Sequence, residues 1–101
     1  MGGNLIRSTG IDAARSFDDS SIDFVYIDGD HSYDFVSKDI EAWWPKIRSG
    51  GILSGHDYCW GHRPRNIPFG VMEAVDEHIS NYNLEMNKTD EEFATWWTIK
   101  P

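Results

Sequence analysis

The 101-residue chain is predicted to be one small α/β domain built on parallel strands, and three observations carry that prediction. The run Ile22-Asp23-Phe24-Val25-Tyr26-Ile27 is β-branched and aromatic, the composition of a strand buried on both faces. Downstream, Tyr33, Val36, Ile40, Trp43 and Ile47 recur at helical spacing. Gly51-Ile52-Leu53-Ser54-Gly55 then reads as a second buried strand. Strand, helix, strand in this order makes a βαβ unit, which places the two strands parallel and side by side with a right-handed crossover.

The remaining elements follow from local signals. Asn4-Leu5-Ile6-Arg7 fits the end of a strand, and Ser8-Thr9-Gly10 fits the turn after it. Ile11 to Phe17 is expected as a short helix burying Ile11, Ala14 and Phe17, followed by the polar break Asp18-Asp19-Ser20-Ser21. Ser32 is positioned to cap the next helix, its hydroxyl accepting a first-turn N–H, and Asp34 suits the positive end of the dipole. That helix is expected to run to about residue 47, with Pro45 kinking or tightening its last turn and Gly50-Gly51 stopping it. Tyr58 to Phe69 reads as a loop rich in Gly, Pro, Arg and aromatics. From Gly70 a second helix is expected, with Val71, Ala74, Val75, His78, Ile79 and Tyr82 on one face. Leu84-Glu85-Met86 and Ala94 to Ile99 read as an antiparallel pair around the acidic turn Lys88 to Glu92. Of the adjacent pairs Trp43-Trp44 and Trp96-Trp97, each is expected to send one ring into the core and the other to the surface.

Composition narrows the function. A formal net charge of −8 argues against a nucleic-acid groove or an anionic membrane surface, both of which reward a basic face. No apolar run approaches the roughly 20 residues needed to span a bilayer, and the first residues have no signal-peptide h-region. A single cysteine, Cys59, excludes an internal disulfide and fits a reducing, cytoplasmic location.

The chemistry concentrates at one edge. In a βαβ unit, Asp28 and the pair His56-Asp57 emerge at the same end of the sheet, on strands about 5 Å apart. Ligands of open α/β sheets bind outside the carboxyl ends of the strands. The turn Asp28-Gly29-Asp30-His31 adds a second carboxylate and an imidazole there. Plainer roles exist for each residue: Asp28 and Asp57 as caps or partners of turn amides, His31 as a helix N-terminal donor, Gly29 as a tight-turn residue. His62, Arg63 and Arg65 in the long loop would meet an anionic acceptor or simply be solvated, and Cys59 has no argument for reactivity.

The two strings Ile22 to Tyr33 and Gly50-Gly51-Ile52-Leu53-Ser54-Gly55-His56-Asp57-Tyr58 resemble class I S-adenosylmethionine-dependent methyltransferases, in the branch related to cation-dependent O-methyltransferases. The likeness runs from Asn4 to Ile99 and implies a partial Rossmann-like fold ending in that antiparallel pair. It implies O-methyl transfer to a small acceptor, with S-adenosylmethionine as cofactor. Carried over by position, Gly10, Ile11, Asp28, Gly29 and Asp30 fall on the cofactor side. Asp28, His56 and Asp57 fall where relatives hold a divalent ion, the histidine favouring Mn²⁺, Fe²⁺ or Zn²⁺ over Mg²⁺. His31 matches the position of a catalytic lysine in catechol-type relatives, and imidazole is suited to take a hydroxyl proton. The chain departs from the family in lacking the first strands and the glycine-rich turn, for Gly2-Gly3 follows no strand. It is expected to enter the fold at about the third strand.

That departure gives the competing reading, a non-catalytic half-fold that survives as a homodimer or with a complementing chain. A second alternative is a metal-dependent phosphohydrolase built on His31, His56-Asp57 and Asp76. Those enzymes are all-helical, and Gly-Gly-Ile-Leu-Ser-Gly before the pair is a poor helix.

Overall fold

A computed structural model of the chain describes residues 5–8, 11–28, 32–58, 70–90 and 94–101. Its strands are β1 (Leu5–Ser8), β2 (Ile22–Ile27), β3 (Ile47–Tyr58), β4 (Asn87–Lys88) and β5 (Ala94–Ile99), and its helices are α1 (Tyr33–Trp43) and α2 (Val71–Asn81). The five strands form one sheet in the order β1-β2-β3-β5-β4. β1, β2 and β3 are parallel neighbours, while β5 runs antiparallel to β3 and to β4. The βαβ prediction and the antiparallel ending are both borne out. The small strand before β5 is Asn87–Lys88 rather than Leu84-Glu85-Met86; Leu84 and Met86 instead pack against the core from the approach to it.

α1 begins where the capping argument puts it, with the Ser32 hydroxyl accepting from Phe35 N at 3.3 Å. It ends earlier than expected. Pro45 turns Trp44–Lys46 into a 3₁₀ segment, and the chain enters β3 at Ile47. Gly50-Gly51 therefore stops no helix. It lies inside β3, where Ile22 pairs with Ile47 but Phe24 pairs with Ile52, so β3 bulges between the two pairings. Gly50 takes φ +84, and a Cβ on Gly51 would lie 2.6 Å from Ile47 Cγ2 and 3.0 Å from the Asp23 carbonyl oxygen. The tail closes over this bulge, Gly50 N donating to Lys100 O and Lys100 N to Gly51 O.

One apolar core holds the layers together. Val25, Ile27, Leu53 and Trp96 on one sheet face pack with Ala14, Val36, Ile40, Trp43, Trp44, Val71, Ala74 and Val75. The short helix near the start is a 3₁₀ segment, Asp12–Ser16, which buries Ala14 but leaves Ile11 exposed: one turn presents too narrow a stripe to bury both. Phe17 is partly buried against Trp43 at a ring distance of 5.7 Å. Trp96 and Trp97 divide as expected, but Trp43 and Trp44 are both buried. Trp44 is enclosed by His78 and Tyr82 of the α2 end, at ring distances of 4.5 and 5.5 Å, and by Lys100. Lys100 Nζ also donates to the carbonyls of Trp44 and Ile47, where burial lowers its pKa. No helix among the described residues is long and apolar enough to cross a membrane.

Candidate functional site at the carboxyl edge of the sheet

The parallel register places Ile27 beside Gly55, so the residues that follow leave the sheet together. Asp28 Oδ1 lies 3.3 Å from His56 Nε2. Both side chains are largely covered, at 20% and 29% exposure. The Tyr26 ring meets the His56 ring edge-on at 5.8 Å, which fixes the imidazole plane from within the sheet. The expected meeting of two strand ends is therefore present for Asp28 and His56.

A third partner was not foreseen. Arg7, in β1, ion-pairs with Asp28 through Nε and Nη2, both directed at Oδ2. Its register partner is Tyr26, two residues before Asp28. The only signal in the sequence was a basic residue at the end of a short strand, and a four-residue strand does not announce its neighbour. Asp28 thus has each oxygen engaged by a different strand, Oδ2 by Arg7 and Oδ1 by His56, which immobilises the carboxylate at the rim.

The rim is also braced from the helices. Tyr33, at the start of α1, donates its hydroxyl to Glu77 Oε1 and Oε2 at 2.6 and 2.7 Å. Tyr58, the last residue of β3, donates to Asp76 Oδ1 at 2.5 Å. Both phenol pKa values are raised, that of Tyr33 by the bond to Glu77 and that of Tyr58 by burial and then by Asp76. These hydroxyls are held protonated as donors and are not candidates for a base.

Other expected site residues stand as follows. Ile11 is exposed, at 39%. Gly10, Gly29, Asp30 and His31 lie outside the described residues, as do Cys59, His62, Arg63 and Arg65; Asp57 is described only as part of the β3 backbone. Among the described residues no group of three His, Cys, Asp or Glu side chains is placed to hold a metal ion. Asp28 and His56 offer two donors, and Arg7 sets a guanidinium against one of them. That set does not by itself fit a resident divalent ion. His56-Asp57 lies in a strand, whereas the phosphohydrolase alternative requires a helix there.

The fold and the rim define a protein of the methyltransferase class. The chain belongs to the methyltransferase domain family, whose model matches residues 2–58, the span from β1 through β3 that contains Arg7, Asp28 and His56. Among curated proteins it is 38% identical over 53 residues to the uncharacterized protein y4gI of Sinorhizobium fredii (strain NBRC 101917 / NGR234), a match covering 52% of this chain and 6% of that protein. Among solved structures it is similar to a protein from Corynebacterium glutamicum, with a TM-score of 0.64 at 19% identity over 92% of this chain and 45% of that one. It is also similar to the O-methyltransferase NovP, with a TM-score of 0.57 at 18% identity over 78% of this chain and 29% of that one. The chain spans less than half the length of each of these relatives.

Proposed function

We propose that this chain forms the acceptor-side rim of an S-adenosylmethionine-dependent methyltransferase acting on an oxygen of a small acceptor. The observation that supports it is the junction of Asp28 and His56 at the carboxyl ends of adjacent parallel strands, the ligand edge of an open α/β sheet. In this reading Gly10, Ile11, Asp28, Gly29 and Asp30 face the cofactor, and His31 takes the acceptor's hydroxyl proton. The acceptor oxygen attacks the methyl carbon in line, the carbon–sulfur bond breaks, and the sulfonium leaves as a thioether. Positioning supplies most of the rate in such a displacement. Arg7 and Tyr26 serve it by fixing Asp28 and His56. No step is assigned to a metal ion. A divalent ion would need Asp57 as a further ligand and Arg7 withdrawn from Asp28.

Calorimetric titration with S-adenosylmethionine tests the reading. Micromolar binding that Asp28→Asn weakens at least about tenfold, equivalent to roughly 1.4 kcal/mol, is the expected result. No heat at millimolar cofactor would sink it and leave the half-fold reading in its place.

A further inference from the structure

The sheet has a second face, and its side chains lie outside the core described above. Residues paired across neighbouring strands share a face, so the register assigns Phe24, Ile52 and Ile99 to one row and Tyr26, Ser54 and Trp97 to the next. Apart from Ser54, which is buried and donates to Trp96 O, these side chains are half-buried or exposed, Ile99 to 55%. None of the large ones belongs to the core cluster or packs against it, whereas every described helix contributes to that cluster. Phe24, Ile52, Trp97 and Ile99 therefore form a contiguous apolar patch on a sheet face that no described helix covers. Sheets with parallel strands are ordinarily covered on both faces.

We infer that this face is an interface for a second copy of the chain, packed sheet against sheet about a two-fold axis. Charge favours this occupant. The strand positions paired on this face carry one described charge, Arg7 at the rim. The acidic excess lies on the opposite side: α1 has three carboxylates against one lysine, and α2 has three with no lysine or arginine. Two copies meeting by their bare faces keep those acidic helices apart, so a net charge of −8 per chain does not oppose association. An acidic or basic partner finds no complementary charge on the patch. Two-fold packing pairs a face with itself and leaves no exposed remainder, and sheets stack about 10 Å apart with interdigitating side chains. Four strands about 4.8 Å apart and six residues long give a patch roughly 20 Å across, at the small end of specific interfaces. The dimer should accordingly dissociate in the micromolar range.

Sedimentation of the full chain from about 1 to 200 μM tests this. The mass should rise reversibly from 11.6 kDa to twice that value, and the melting temperature should rise with concentration. Ile99→Glu at an exposed strand end enters a two-fold interface twice. It should raise the dissociation constant at least about tenfold, whereas Tyr82→Gln, exposed on the helical side, should leave it unchanged. A monomer throughout the range with a concentration-independent melting temperature overturns the inference. So does a dimer indifferent to Ile99→Glu, which would be joined elsewhere, as along the edge of β1. If Ile99→Glu fails to fold, the wild-type melting series decides alone.

Discussion

Trp43 and Trp44 lie between the helices and the sheet, and Trp96 and Trp97 lie within the sheet itself; the two pairs meet solvent differently. Trp43 and Trp44 are 0% and 6% exposed, whereas Trp96 is 1% exposed and Trp97 is half-buried on the far face. In β5 the pleat alone decides, because neighbours in a strand must face opposite ways. At the end of α1 the backbone directs the two rings apart, but the α2 end and Lys100 close over the outer one. Local geometry governs burial where one layer stands bare. Where a third element arrives, it overrides the local pattern.

The largest test of that contrast compares Trp43→Ala with Trp97→Ala by urea denaturation of dilute protein. Trp43 is fully enclosed and touches Phe17, so its loss should cost about 3–5 kcal/mol. Trp97→Ala leaves no closed cavity and should cost less than half as much. Equal losses would mean that the second face is packed as tightly as the first, and the contrast would fail.

Gly55→Ala comes next and probes packing on the covered side. A Cβ there would lie 2.7 Å from Trp96 Nε1 and 2.9 Å from Trp96 Cε2. Trp96 is wedged in the core, so the overpacking should cost about 1–3 kcal/mol. Trp96→Phe shortens the ring and should recover part of that loss in the double variant, a non-additive result expected of contacting side chains. Strict additivity would show that the indole is not the obstacle.

The same contrast explains how much was legible in the sequence. The unit β2–α1–β3 was readable because alternation and helical spacing are local, and Ser32 was readable as a cap because capping needs only three residues. The meeting of Asp28 and His56 followed from topology alone, since parallel neighbours must present their carboxyl ends together. What escaped depends on segments distant in sequence. The burial of Trp44 is set by His78, Tyr82 and Lys100, and the hold on Asp28 by Arg7, 21 residues away. Gly50-Gly51 was read as a helix stop because glycine signals a break equally in a helix and in a bulged strand. Only pairing with β2 distinguishes the two.

The smallest effect lies at the same helix seam and is read by pH. His78 is buried, and burial alone lowers its pKa from 6.5 to about 4. Its Nε2 has no hydrogen-bond partner, and the Trp44 ring stands edge-on at 4.5 Å. Between pH 6.5 and about 4 the unfolded chain therefore binds a proton at this residue that the native state refuses. Stability from the neutral imidazole is complete above pH 6.5, declines through that window and is gone below it. With solvent screening allowed for, the loss should be roughly 1–2 kcal/mol. His78→Phe keeps an aromatic ring against Trp44 and removes the titration. Urea midpoints of the two proteins at pH 7 and pH 4.5 should converge as pH falls, the wild type losing more. Parallel declines would show that this seam admits a proton as readily as water does, and would place His78 with the solvated residues of the bare face.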